Sequence, residues 1–202
     1  TQLNLIIQSL PGISCLRAAV ITQILTMADK WKPELTQPSP ARLYAACYFD
    51  DGEPYLTAKK KLESAFGKAD YESHSVPTEL LMPLYTNLAR KTMRILSFQR
   101  QVAREEIVDI RRKTLAVESG LQQLGRPLVE IDPGYVTEFT SVRTSLKDDF
   151  HHIYLYGGIF AQSLYYYESG SFRPFVHTPD LYRYESVISI FNDLRLAHVT
   201  DR

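Results

Sequence analysis

Short apolar runs of strand length alternate along this chain with three stretches in which apolar residues recur at helical spacing. Residues 41–51, ARLYAACYFDD, are apolar and aromatic up to Asp-Asp-Gly, and they predict a buried strand followed by a turn. A helix is expected next, because Pro54 suits a first helical position and Gly67 is a natural stop. This opening strand and helix indicate a ferredoxin-like or another α/β layer.

The middle of the chain predicts two more strands and a long helix. One strand is expected within residues 70–80, and another around Met93 to Phe98 after a short helical turn near Leu84. A helix from Arg104 to Leu124 is indicated by carboxylates in its first turns and a glycine after its last residue. Its predicted buried stripe is Ile107, Ile110, Val117, Leu121 and Leu124.

The last third is rich in aromatic residues and predicts paired strands. A strand from Leu128 to Ile131 is expected to break at Asp132-Pro133-Gly134-Tyr135, because Pro then Gly is the signature of a type II turn. Gly157-Gly158 separates HHIYLY from IFAQSLYYY and predicts a two-residue hairpin turn. A turn at Glu168 to Ser171, an edge strand FRPFV and a helix from Tyr182 to Ala197 follow.

The hairpin register assigns its residues to two faces. If Tyr156 faces Ile159, one face is core and the other is an aromatic surface. Adjacent histidines of a regular strand then point to opposite faces and cannot chelate one metal ion together. The core face would carry His151, Ile153, Leu155, Phe160 and Leu164, and the aromatic face His152, Tyr154, Tyr156, Ser163 and Tyr165.

Composition bounds the fold and location. Residues 1–28 carry one charge, Arg17, and are either a non-native extension or an added helix; residues 29–40 are a proline-rich lead-in and residues 41–198 one domain. No apolar run approaches the roughly 18 residues of a membrane span. The elements together predict an α+β fold, a single-domain α/β sandwich with a mostly antiparallel sheet and helices chiefly on one face. Two cysteines without CxxC spacing indicate a reducing, cytoplasmic compartment.

Charge argues against nucleic acid as a partner. Lys plus Arg and Asp plus Glu both number 23, so no global field attracts an anionic polymer or membrane. Between Arg90 and Lys113 the sequence has eight basic and three acidic residues, which we interpret as a solvated helix face. GxxxxGK[ST], GxGxxG, HExxH and GxSxG are all absent, so P-loop nucleotide binding and other easily recognised enzyme classes have no support.

Three functions stay open, and the sequence identifies no cofactor. The first is binding of a phosphorylated or other anionic small molecule near the predicted turn and hairpin, with Asp132, Tyr135, Arg143, Lys147, His151 and Arg173 as ligand-binding residues. The second is an enzyme in which Asp132 or Asp148 acts with His151 in acid/base or metal-assisted chemistry. The third is an interaction protein that uses the tyrosine face, for example as a homo-oligomer.

Several motifs carry a family resemblance. In order they are PSPARLYAACYF, SFQR, IRRKT, VEIDPGYV, LKDDFHHIYLYGGIFAQ, and GSFRPF followed by TPDLYRYE. Residues 39 to about 198 thereby resemble the bacterial domain of unknown function 4416 family. The chain departs from that pattern at Glu130, where Asn is expected, at His152, where Arg is expected, and at His177, in a stretch usually richer in Trp and Tyr. The resemblance implies no activity, because the family takes its name from having none assigned.

Overall fold

A computed structural model describes residues 35–78 and 90–201. Its strands are β1 (Ala41–Phe49), β2 (Ala69–Glu72), β3 (Val76–Pro77), β4 (Thr92–Val102), β5 (Gln122–Gln123), β6 (Arg126–Pro127), β7 (Val129–Val136), β8 (Thr140–Ser145), β9 (Ile153–Tyr156), β10 (Ile159–Glu168) and β11 (Ser171–Pro174). The α-helices of these ranges are α1 (Gly52–Phe66), α2 (Ile107–Ser119) and α3 (Glu185–Thr200), and 3₁₀ turns at Arg104–Glu106 and Asp180–Arg183 precede α2 and α3. The N-terminal extension and the predicted turn near Leu84 lie outside the described residues.

One antiparallel sheet organises the described residues. Its strand order is β11-β10-β8-β7-β1-β4-β2, with β3 also paired to β4 and β9 to β10. Within it, β7-β1-β4-β2 is the order of a ferredoxin-like βαββαβ unit, since α1 connects β1 to β2 and α2 connects β4 to β7. The predicted α+β fold with a mostly antiparallel sheet is therefore confirmed.

Helices cover both faces of this sheet. Alternate residues of β1 divide between two cores, with Leu43 and Cys47 on the face of α1 and α2, and Tyr44 and Ala46 on the face of α3. Of the three α-helices in the described ranges, two thus share one face, as expected. Helix α3 closes the other face with an apolar stripe, in which Val187, Phe191 and Leu194 are all fully buried.

Strand β7 passes through the predicted Asp132-Pro133-Gly134-Tyr135 turn, so the type II turn is wrong. All of its residues pair with β1, and Gly134 lacks the positive φ that this turn requires. The ladder from β7 to β8 includes only Gly134, Tyr135 and Val136. The Pro133 carbonyl accepts a hydrogen bond from the Thr144 hydroxyl at 2.9 Å. In an antiparallel strand the N–H and C=O of one residue point to the same neighbouring strand, so Pro133 faces β8. Because the β7–β8 ladder begins only at Gly134, no ladder hydrogen bond is lost through the missing N–H of Pro133.

Gly134 is explained by close approach rather than by a turn. It pairs with Tyr44 of β1, and a Cβ at Gly134 would overlap the Tyr44 ring and the Val142 carbonyl. The Tyr44 hydroxyl donates to that same carbonyl at 3.3 Å. A residue without a side chain is therefore needed here, so that the tyrosine can lie across the sheet.

The glycine hairpin is confirmed, but its faces are only partly as predicted. Gly157 and Gly158 have φ of 62° and 78°, as a type I′ turn requires, and Tyr156 pairs with Ile159. A register shift then places Phe160 opposite Tyr154 instead of Leu155. Among the residues assigned to the two faces, Ile153 is 64% exposed and Tyr165 is fully buried, which is the reverse of the expectation.

His151 does not lie on a core-facing strand, which corrects its predicted place. It lies in a turn before β9, which the His152 N–H closes by donating to the Asp149 carbonyl at 2.9 Å. The argument that His151 and His152 must point to opposite faces therefore does not apply, because neither belongs to a regular strand.

Helix α2 ends earlier than predicted. Its last residue is Ser119, and the Gly120 N–H caps it by donating to the Ala116 carbonyl at 3.1 Å. The chain then forms the small β5–β6 hairpin, in which Leu124 has φ 52° and is 99% exposed. Helical spacing stops at Gly120, so Leu124 cannot continue the buried stripe that begins with Ile107 and Ile110.

Candidate functional site

Arg143 is the centre of a polar cluster on the α3 face of the sheet. Its Nε donates to Gln162 Oε1 at 2.7 Å, and its Nη1 lies 3.3 Å from Asp132 Oδ2. These three residues come from the adjacent strands β8, β10 and β7, which bring them to one face. The guanidinium also lies over the Tyr182 ring, 5.6 Å from its centroid. The side chain of Arg143 is 18% exposed, so it is fixed by its neighbours and still reachable by solvent.

Two tyrosine hydroxyls extend this cluster. Tyr48 of β1 and Tyr182 bring their hydroxyl oxygens within 2.5 Å of each other. Burial is the main cause that raises the pKa of Tyr182 to about 12, and burial also raises the pKa of Tyr48. Both phenols are therefore neutral at physiological pH. Burial alone would lower the pKa of Arg143, but the charge of Asp132 and the nearby tyrosines raise it, so the guanidinium stays charged.

A second arginine reaches Asp132 from helix α2. Arg111 Nη1 lies 3.7 Å from Asp132 Oδ1 and 3.1 Å from Glu118 Oε1. It also donates to the Ile131 carbonyl, and Glu118 accepts the Ile131 N–H at 3.0 Å. Burial outweighs the attraction of Arg111 and raises the pKa of Glu118 to about 7. Acidic and basic side chains thus alternate in a row where β8 separates from β7, in the order Glu118, Arg111, Asp132 and Arg143.

Three histidines lie beside the Arg143 cluster. The His151 ring lies 4.8 Å from that of His177 and 4.5 Å from that of His152, measured between centroids. His177 is held at the sheet edge because its Nε2 bonds the Ser163 carbonyl at 3.2 Å. Its own carbonyl accepts Gln162 Nε2 at 3.1 Å, so Gln162 joins the histidines to Arg143. Burial and the neighbouring His152 lower the pKa of His151.

The structure brings only some of the predicted site residues together. Asp132 and Arg143 are in contact, and His151 lies in the adjoining histidine cluster. Tyr135 packs against the core on the opposite face of the sheet. Lys147 is exposed and contributes its main-chain carbonyl, which bonds His152.

Two further predicted residues lie apart from the cluster. Asp148 is exposed in the segment before β9, whereas its neighbour Asp149 is the carboxylate beside His151, at 3.9 Å. Arg173 is exposed in edge strand β11 and alternates with Phe172, which is buried in the α3-side core. It therefore faces away from Arg143.

Sequence reasoning missed several members of the site. Gln162, Tyr48, Tyr182 and His177 come from four separate segments, and no local spacing connects them. Arg111 and Glu118 could have been found, because Ile107, Arg111, Thr114 and Glu118 follow one helical face at intervals of four, three and four residues. Polar residues on such a buried face indicate a buried ion pair. Arg111 belongs to the segment interpreted above as a solvated helix face, and at 6% exposure that interpretation is wrong for this residue.

Two absences hold within the described ranges. Residues 35–78 and 90–201 contain no group of three or more His, Cys, Asp or Glu side chains arranged to hold a metal ion. No helix in these ranges is long and apolar enough to cross a membrane.

The described residues form a ferredoxin-like unit that strands β8 to β11 extend, with a polar cluster around Arg143 where the extension begins. The protein is therefore an α+β domain with a candidate ligand site. The match to known families is specific. Residues 39–198 match the sequence model of DUF4416, a domain of unknown function, and the chain belongs to that family. No curated protein and no solved structure matches the chain.

Proposed function

We propose that the protein binds a small anionic molecule, of the phosphate or carboxylate class, at Arg143. The observation that carries this proposal is the position of the guanidinium, which Asp132 and Gln162 fix in one orientation at the end of a side chain that is 18% exposed. An arginine fork held in advance can pair with a phosphate or carboxylate at a low cost in side-chain entropy.

The surroundings of Arg143 include two neutral hydroxyls and one carboxylate, Asp132. The hydroxyls of Tyr48 and Tyr182 are protonated, and Asp132 already shares its charge with Arg111. An incoming anion would therefore meet one carboxylate that two arginines neutralise. Such a mixture of one fixed cation and neutral donors is typical of small-molecule sites.

A thermal-shift screen of the full chain tests the proposal. The probes are inorganic phosphate, sulfate, citrate, sugar phosphates and nucleoside monophosphates. A ligand present at 100 times its Kd stabilises by about 2.7 kcal/mol, which for a chain of this size raises Tm by roughly 5–10 °C. Arg143→Lys keeps the charge but loses the fork, so we expect this variant to lose most of the shift.

Arg173→Lys is the matched control. It makes the same change at an exposed arginine on the opposite face of the sheet, so the ligand-induced shift should equal that of the wild type. The proposal is overturned if no probe stabilises the wild type, or if Arg173→Lys loses the shift as completely as Arg143→Lys.

The other two functions gain less from the structure. Among the described contacts, none joins Asp132 or Asp148 to His151, so an acid/base pair of these residues rests on residue types alone. The interaction hypothesis keeps Tyr154 and Tyr156, which are 59% and 48% exposed, and loses Tyr165, which is buried.

A further inference from the structure

The histidine cluster contains two ring nitrogens that the fold leaves without partners. Among the described residues, His151 Nδ1 and His152 Nε2 are both buried and neither has a hydrogen-bond partner. Buried polar atoms in folded proteins are nearly always paired, so each of these needs an explanation. They belong to neighbouring rings, which makes a shared explanation possible.

The hydrogen bond of His152 fixes which of its nitrogens carries a lone pair. Its Nδ1 lies 2.8 Å from the Lys147 carbonyl, which can only accept, so Nδ1 must carry the proton. In the neutral ring Nε2 is then an unprotonated acceptor. An acceptor lone pair repels an anion and attracts a cation, so the ligand of Arg143 does not explain it.

Proteins also orient metal-binding histidines through a hydrogen bond from one ring nitrogen to a backbone carbonyl. Metal-binding histidines almost always donate their second N–H to a carbonyl, carboxylate or water, which fixes the tautomer and the direction of the other nitrogen. His152 has this arrangement. The carboxylate of Asp149 lies 3.9 Å from His151 Nδ1 and provides negative charge beside the two rings.

The separation of the two rings is compatible with one ion bound to a nitrogen of each. An ion roughly 2.1 Å from each nitrogen places two ring centroids about 4.5–5.2 Å apart for bond angles of about 90° to 109°. The centroids of His151 and His152 are 4.5 Å apart and the ring planes meet at 79°. His177 does not join them, because its ring is within 23° of parallel to His151 and it bonds the Ser163 carbonyl.

We propose that His151 Nδ1 and His152 Nε2 form a two-nitrogen site for a divalent ion of the zinc, nickel, copper and cobalt class. Imidazole nitrogen suits these ions, whereas magnesium and calcium select oxygen ligands. Water, or Asp149 after a side-chain rotation, completes the coordination. This proposal does not depend on the proposed binding of an anion at Arg143.

Calorimetric titration of the full chain, without an affinity tag and after chelator treatment, tests this site. Zinc is the probe and magnesium is the comparison ion. We expect one zinc ion to bind per chain and magnesium not to bind. His151→Gln and His152→Gln should each weaken zinc binding by about 100-fold or more, because even outer-sphere partners of a ligand are worth 10–100-fold.

His74→Gln is the matched control. His74 is exposed between β2 and β3, away from the cluster, so its replacement should leave zinc binding unchanged. Circular dichroism of each variant shows that it is folded. The proposal is overturned if the wild type binds no zinc, or if His74→Gln weakens binding as much as the cluster variants.

A second measurement on the wild type does not depend on variants that fold. Long-range ¹H–¹⁵N spectra of the histidine rings report which nitrogen is protonated. We expect His152 to be protonated at Nδ1 and its Nε2 resonance to shift when zinc is added. A His152 ring protonated at Nε2 in the neutral protein, or one that zinc does not shift, would contradict the site.

Discussion

Asp132 stands between two arginines whose surroundings differ in kind. Arg111 is 6% exposed, and its partners besides Asp132 are Glu118 and a main-chain carbonyl of β7. Arg143 is 18% exposed, and its partners besides Asp132 are a neutral amide and the face of a tyrosine ring. Arg111 is thus bound within the framework by a second charge, whereas Arg143 depends on one shared carboxylate. On this comparison Arg111 is the structural arginine, and Arg143 is the one to which the proposed ligand binding is assigned.

Replacing Arg111 should have the largest effect on stability. Arg111→Met removes the cation beside the buried Glu118 carboxylate and the donor to the Ile131 carbonyl, and breaking a buried pair costs about 3–5 kcal/mol. Arg112→Met is the matched control, because Arg112 is 49% exposed and pairs with Asp109 one helical turn away. Its guanidinium also lies over the Tyr156 ring, 4.8 Å from the centroid, so its replacement should cost about 1 kcal/mol, well below the cost of Arg111→Met. Urea unfolding measures both, and equal losses would mean that Arg111 is not a structural arginine.

Glu118 sharpens the comparison through pH. Its folded-state pKa of about 7 lies above its unfolded value, so between these pH values the folded state binds more protons. The stability that Glu118 contributes is therefore present below the unfolded pKa and lost as pH rises through about 7. Glu118→Gln removes this loss, so its stability relative to wild type should rise by about 3 kcal/mol between pH 4.5 and 7.5.

Chemical unfolding at each pH measures this difference, in which the other titrating groups cancel. Glu105→Gln is the control, because Glu105 is an exposed carboxylate at the start of the same helical segment. It should follow the wild-type pH dependence. A Glu118→Gln variant parallel to wild type from pH 4.5 to 7.5 would show that folding does not raise the pKa of Glu118.

The sequence predicted those parts of the fold that local patterns determine. Each correctly predicted element depends on residues that lie close together in the sequence; these elements are β1, α1, the glycine hairpin and α3. The prediction of a type II turn at Pro133-Gly134 was wrong because residues distant in sequence determine the backbone conformation there. Tyr44 needs a glycine beneath its ring. The ladder between β7 and β8 does not include Pro133, so a residue without an N–H can occupy that position. A local rule that favours a turn cannot register either of these contacts.

The candidate site was predictable to a similar extent. Asp132 and Arg143 were both chosen from the sequence, and the antiparallel pairing of β7 with β8 brings them together. Gln162 could not be chosen, because its role depends on the register of β10 with β8. His177 could not be chosen either, because the segment after β11 must turn back against Ser163 and Leu164 of β10.

Replacing Gln162 should have the smallest effect on stability, and it tests whether Arg143 and the histidines are one connected unit. Gln162→Leu keeps the approximate volume but leaves Arg143 Nε and the His177 carbonyl without partners, which costs about 1–3 kcal/mol. Gln123→Leu, at an exposed position of β5, should cost almost nothing. Because His177 lies against His151, releasing its carbonyl should also move the ring resonances of His151, two contacts away from the changed residue. Ring spectra of His151 that match the wild type in Gln162→Leu would separate the arginine from the histidines and leave two unrelated clusters.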